Sequence, residues 1–282
     1  MGNLNKTKTV KVNHFMGRFS LSIKTIVGGI LTIVFPLITQ AQQRAEYPEL
    51  NEYRKWEFVA GPVLYNRATL TPQFGNYTFK NKPILGFNAG FVYDFHPDAK
   101  WSFITGLYCA IEPVYNVQFT LKEIDIYDYF GGDYTDHVKM YSILSFSFPL
   151  LLRLNIQLGN RTFISFLTGF KAMYFPSGDA EMTYAITSQD LSETREVFGL
   201  KLESPENSIQ GSFILGSGFS YAMDKVLLKT NLIYVMNFQN TMSGEYQFAN
   251  LLTSPDTRGY YNLSGNYLGL LFSVSLKKGK KK

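Results

Sequence analysis

From Trp56 onward, apolar and polar side chains alternate with a period of two over eight separate stretches. That is the repeat of a β-strand whose two faces meet different surroundings. The last stretch is the cleanest: Leu268, Leu270, Phe272, Val274 and Leu276 share one face, and Gly269, Leu271, Ser273 and Ser275 share the other. In Lys139–Ile156 the apolar face holds Leu144, Phe146, Phe148, Leu150, Leu152, Leu154 and Ile156, opposite Ser145, Ser147, Arg153 and Asn155. Val226–Gln239 sets Leu228, Leu232, Tyr234, Met236 and Phe238 against Lys229, Asn231 and Asn237. Arg161–Phe175 sets Ile164, Phe166, Phe170 and Tyr174 against Ser165, Gly169 and Lys171. Trp56–Tyr65, Leu85–Phe95, Trp101–Tyr115 and Ser212–Met223 bring the count to eight, the third of these being ambiguous in face.

The connections alternate in length. His96–Lys100, Gln157–Asn160 and Ala222–Lys225 are short and built on turn residues. Asn66–Ile84, Asn116–Val138, Pro176–Gln210 and Asn240–Asn266 are long and read as loops. Short turns at one end and long loops at the other are the pattern of an outer-membrane barrel, with both termini on the short-turn, periplasmic side. The fold expected is therefore all-β: an eight-stranded antiparallel transmembrane barrel. Runs of ten or so tilted residues cross an apolar band of about 25 Å.

Periodicity does not say which face points out, and a soluble lipocalin-like barrel would turn the same stripe inward. Three features favour lipid outside. The second face carries Ser, Gly and Asn more often than charge, as the cramped interior of eight strands requires. The loops are long. Aromatics gather near strand ends, at Trp56, Trp101, Tyr115, Tyr141, Tyr174, Phe175 and Tyr267, as in interfacial girdles. Composition agrees: 16% aromatic and only 17% charged, where a soluble domain carries about a quarter charged. The mean hydropathy of −0.07 suits strands that show lipid on alternate residues.

The first forty residues read as an address. An apolar run from Ile26 to Thr39 follows Lys6, Lys8, Lys11, Arg18 and Lys24, and Thr39-Gln40-Ala41 offers small residues for cleavage. The run is shorter than the ~20 residues of a spanning helix. Residues 1–41 are thus expected to be a signal peptide, with Met1 or Met16 as the start. Residues 42–54 would be a periplasmic segment, 55–277 the barrel and 278–282 a basic tail. The net charge of +5 lies largely in the signal and in Lys277–Lys282, so it is no nucleic-acid footprint. The single cysteine, Cys109, excludes an internal disulfide.

The signal, the eight strands, the segment Phe148-Pro149-Leu150-Leu151-Leu152-Arg153 and the closing strand Leu268–Leu276 resemble the PorT-like outer-membrane β-barrels of Bacteroidota, over Lys55 to Lys277. The resemblance implies an eight-stranded barrel of mostly unassigned role. One branch of that family takes part in type IX secretion, and no residue places this chain in it. Where outer-membrane strands often close on an aromatic, Leu276 is followed by lysines.

Candidate chemistry is sparse. Past the signal there are only His96 and His137, assigned to opposite ends of the barrel, so no shared catalytic site is expected. Asp125, Asp128, Asp133 and Asp136 offer oxygen ligands for Ca²⁺, without an EF-hand spacing. The same loop interleaves Tyr127, Tyr129, Phe130 and Tyr134, a candidate partner-binding patch or a set that packs on the barrel rim. Pro176–Gln210 is acidic and would repel nucleic acid. Inward Arg153, Lys171 and Lys229 are expected to pair with Asp94 and Glu57 inside a barrel too full for a wide pore. The function expected is a non-enzymatic envelope scaffold or recognition protein, without cofactor, acting through long loops. Its partners would be outer-membrane lipid and other envelope proteins. An accessory part of a secretion or assembly complex, and a barrel hydrolase using His137, are the alternatives.

Overall fold

The computed structural model describes residues 46–130, 132–175, 178–187, 194–205 and 209–279. The expected signal, residues 1–41, and the tail end, 280–282, lie outside them.

Eight strands close a barrel: β1 (Trp56–Tyr65), β4 (Ile84–Asp94), β5 (Trp101–Leu121), β6 (Tyr134–Gly159), β7 (Thr162–Tyr174), β10 (Ile209–Ala222), β11 (Val226–Asn237) and β14 (Tyr267–Leu276). Each pairs antiparallel with the next, and β14 returns to β1 with Leu64 opposite Leu268 and Phe58 opposite Val274. Closure removes every edge, so no backbone group in the wall is left to face lipid unpaired. The large apolar residues point out: Phe91 and Phe87 are 57% and 54% exposed, and Phe272 49%. Their alternates, Ser102, Ser147, Asn155, Ser165 and Ser273, are buried. A lipocalin-like barrel would show the reverse. This is the transmembrane arrangement, with the greasy stripe toward acyl chains.

The aromatic girdle needs a correction. Trp56, Trp101, Tyr141 and Tyr174 do face outward, but Tyr115, Phe175 and Tyr267 are buried. Tyr115 and Phe175 belong to the core of the outer part and Tyr267 to the barrel interior.

On the short-turn side, residues ahead of β1 fold under the mouth. A 3₁₀ turn, Pro48–Glu52, places Leu50 and Tyr53 against Phe163, Ala222 and Leu227. Tyr47 packs edge-on to Phe163 at 5.5 Å and donates to the Asn155 carbonyl at 3.2 Å.

On the other side the four long connections are not loops, which corrects the sequence reading. They form β2 (Thr69–Phe74), β3 (Phe79–Asn81), α1 (Glu123–Phe130), β8 (Asp179–Thr187), β9 (Thr194–Glu203), β12 (Met242–Phe248) and β13 (Thr257–Leu263). Five of these strands make a second sheet in the order β2-β13-β12-β9-β8. It packs on β3 and the extended ends of β5 and β6, around Phe79, Phe119, Phe198, Tyr246, Phe248 and Tyr261. The rings interlock: Phe119 and Phe248 each lie 4.7 Å from Phe198, and Phe79 meets Tyr246 edge-on at 5.0 Å. Length alone makes these connections look like loops, but they carry their own alternation. Phe198, Leu200 and Leu202 show that alternation as plainly as any barrel strand.

Strand β5 explains its ambiguous face. Around Pro113 the register with β6 shifts twice. Below that point even-numbered residues such as Ser102, Ile104 and Ala110 are buried; above it odd-numbered Val117, Phe119 and Leu121 are buried and Thr120 is exposed. The two shifts are opposite, one extra residue on β6 and then one on β5, so the register is restored while the faces of both strands are exchanged. Proline fits there because it has no N–H to place in the ladder.

Candidate functional site

Three places gather polar side chains. The first lies inside the barrel. Arg153 reaches Asp94 at 2.6 Å and Glu57 at 3.6 Å; Lys229 touches Glu57 and stands 3.7 Å from Asp94. Ser102 also donates to Asp94, which is fully buried. Two acids and two bases thus form a neutral set. Charges this deep persist only when each is compensated. Lys171 does not join them, contrary to the expected pairing. Its ammonium lies 4.9 Å from the centre of the Tyr267 ring and 3.3 Å from that hydroxyl, with no described carboxylate in ion-pair range. Buried Glu112, unnoticed in the sequence, accepts from Ser145 at 2.9 Å. It sits beside the bulge, where the face of β5 could not be read. The cavity among these groups holds about 30 Å³, room for a water or two. The interior is a packed, structural core.

The second place is around Asp125 in α1, which the sequence suggested as a solvated or calcium-binding acid. It is buried, and its carboxylate accepts from the Tyr77 hydroxyl at 2.5 Å. It also accepts the backbone N–H and hydroxyl of both Thr253 and Ser254, at 2.7–3.1 Å. Burial pushes its pKa up, but these bonds outweigh burial and hold it at about 2. With its lone pairs spent, Asp125 is a clasp between α1, the β2–β3 connection and the β12–β13 connection. Asp133 accepts from the Glu123 N–H at 2.8 Å and Asp136 from the His137 N–H at 2.7 Å. Among the described residues no cluster of three or more His, Cys, Asp or Glu could hold a metal. The His137 ring meets Asn116 Oδ1 at 2.6 Å, and His96 lies in the turn at the other end of the barrel. Tyr134, expected in a partner-binding patch, stacks on Tyr184 at 5.4 Å and packs against the outer core. The side chains of Tyr127, Tyr129 and Phe130 lie outside the described residues.

The third place was not foreseen. The face of the five-stranded sheet turned away from its core is polar. Cross-strand register aligns Glu181, Lys201, Glu245, Tyr260 and Thr71 in one row. The neighbouring row is Thr183, Gly199, Gln247, Arg258 and Phe74. Between the rows lies a groove of about 280 Å³. Gly199 opens its floor: a Cβ there would come within 3.3 Å of the Gln247 side chain. Lys201 pairs with Glu181 at 3.1 Å, while Arg258 has no described carboxylate in ion-pair range. The groove presents an ammonium, a guanidinium, carboxylates and an amide side by side. That set suits reversible hydrogen bonding to a polar ligand and lacks a nucleophile–base pair.

No family model matches the chain, and no curated protein matches it. Solved structures do. The outer membrane protein OprG from Pseudomonas aeruginosa is 12% identical, with 81% of this chain and 98% of that one covered, at a TM-score of 0.42. Ail, the attachment invasion locus protein of Yersinia pestis, is 10% identical over 77% of this chain and 99% of its own, at 0.28. The toluene transporter TodX of P. putida is 8% identical over 80% and 91%, at 0.26. Likenesses this slight carry no functional meaning; the eight-stranded antiparallel barrel stands on the register of this chain's own strands.

Proposed function

We propose that this protein is a non-enzymatic recognition protein of the outer membrane, in which the barrel is the anchor and the outer sheet is the binding element. The observation that carries this reading is the polar groove over Gly199, borne on a sheet with its own buried aromatic core. A barrel filled by side chains supports anchoring rather than transport. The long-connection side then faces the exterior, and the ligand is polar and approaches from outside the cell. The non-enzymatic part of the proposal rests on His137 bonding Asn116 in place of an acid. An accessory place in a secretion complex, of the PorT-like kind, is compatible with the same groove if its ligand is another envelope protein.

The test uses the full chain in detergent and its Lys201→Ala/Arg258→Ala variant, both exposed residues. A heat-dependent shift on a denaturing gel checks that each barrel is folded. Binding of isolated cell-surface material, before and after protease digestion, is then measured. Loss of binding in the folded variant is expected, and protease digestion tells an envelope-protein ligand from a non-protein one. Equal binding by variant and parent would overturn the proposal.

A further inference from the structure

A second groove lies at the barrel rim, on the membrane side of the outer sheet. Leu64 and Leu268 are the last outward side chains of β1 and β14, and Tyr234, one outward position below Met236 on β11, is aligned with them by the pairs Leu64–Leu268 and Leu268–Tyr234. They belong to the apolar band and are about 40% exposed or more. Just above them the chain leaves the wall. The segment from Asn66 to Leu70 rises along β2. Residues Phe79–Asn81 return along β5, tied by the Asn81 amide donating to the Ala68 carbonyl at 2.5 Å. The space so enclosed is about 1080 Å³ and open to the side.

Its chemistry changes with height. The lower wall is Leu64, Leu268 and the Tyr234 ring. The upper wall carries Arg67 and Lys80, both exposed, with no described carboxylate within ion-pair distance of either. At the opposite end of the barrel Arg161 and Lys277 are paired, to Asp224 and Glu52. Two unpaired cations directly above an acyl-level wall match one molecular shape: a negative headgroup over a hydrocarbon chain. We infer that this groove binds an anionic phospholipid, its phosphate held by Arg67 and Lys80 and one acyl chain lying on Leu64, Leu268 and Tyr234. The groove is continuous with the lipid-facing band, so the occupant enters sideways from the leaflet. It uses a surface separate from the polar groove over Gly199, and the two readings stand or fall apart.

Purified full chain in a neutral detergent, loaded with dioleoyl phosphatidic acid, tests this by native mass spectrometry. Dioleoyl phosphatidylcholine and inorganic phosphate serve as competitors. The parent is expected to retain phosphatidic acid in preference to phosphatidylcholine. Arg67→Gln/Lys80→Gln should bind it about 25-fold more weakly, about fivefold per cation near a charged lipid surface. Inorganic phosphate should not displace the lipid. Retention of the heat-dependent gel shift shows that the variant is folded, as expected for two exposed residues that bridge nothing. Unchanged retention by the variant, equal retention of phosphatidylcholine, or displacement by inorganic phosphate would each overturn the inference, the last by showing a simple anion site.

Discussion

The barrel wall and the outer sheet are written in the same two-residue repeat and turn it opposite ways. In the wall, Phe272 and Phe91 face outward and Ser273 and Asn88 inward. In the outer sheet, Phe198 and Tyr246 face inward while Lys201 and Glu245 face water. What separates them is the company the apolar residues keep. Ser, Gly and Asn as alternates mark an interior that must be small. Glu, Lys, Gln and Arg as alternates mark a solvated surface. Orientation is therefore readable from the weaker of the two faces, not from the greasy one.

The largest expected effect probes a single chemical change on both sides of that contrast. Arg153→Met leaves Asp94 and Glu57 under-compensated inside the barrel and should cost about 3–5 kcal/mol. Arg258→Met, on the open face of the sheet, should cost less than about 0.5 kcal/mol. Urea unfolding in lipid vesicles measures both, and equal costs would erase the distinction. Next comes a matched pair of phenylalanines. Phe198→Ala opens a cavity in the outer core and should cost about 3 kcal/mol. Its readout is protease cleavage within β8, β9, β12 and β13 while the heat-dependent gel shift persists. Phe272→Ala should be milder by at least about 1 kcal/mol, because lipid fills the space. A reversed order would mean that Phe272 is core and the wall inside out.

Asp125→Ala should cost about 1–3 kcal/mol by orphaning the donors of Tyr77, Thr253 and Ser254. Because its folded pKa lies below the unfolded value, the clasp contributes fully above about pH 4. Its contribution fades as pH falls toward about 2. Hydrogen exchange of residues 252–254 against pH should show that loss in the parent and not in the variant. A small effect is also expected of Glu181→Gln, which breaks an exposed pair with Lys201 and should change stability by less than about 1 kcal/mol.

Much of the wall was legible because each of its strands carries its own signal. Trp56–Tyr65 emerged with the bounds expected, and the others within a few residues except where β5 and β6 run on past the membrane. The inward placement of Arg153, Lys171 and Lys229 was legible for the same reason. The partner of Lys171 was not. Tyr267 stands 96 residues away, and only the ring closure through β14 brings them together. Asp125 was misread because its donors lie as far as Ser254, 129 residues on. The outer sheet was legible in part and overlooked: alternation in β9, β12 and β13 is plain, whereas the register that lines up Glu181, Lys201 and Glu245 depends on pairing between distant segments.

Strands β5 and β6, of 21 and 26 residues, run from the wall to the core beneath the outer sheet with no break except the bulges around Pro113. At about 3.3 Å per residue they form a mast of roughly 70–85 Å. A tether would let its cargo wander; a mast holds it at one height and heading. Tension applied at the tip, where the two strands join, loads their ladders with β4 and β7 in shear, many bonds at once, so detachment under flow would demand failure of whole ladders rather than the unzipping of one turn.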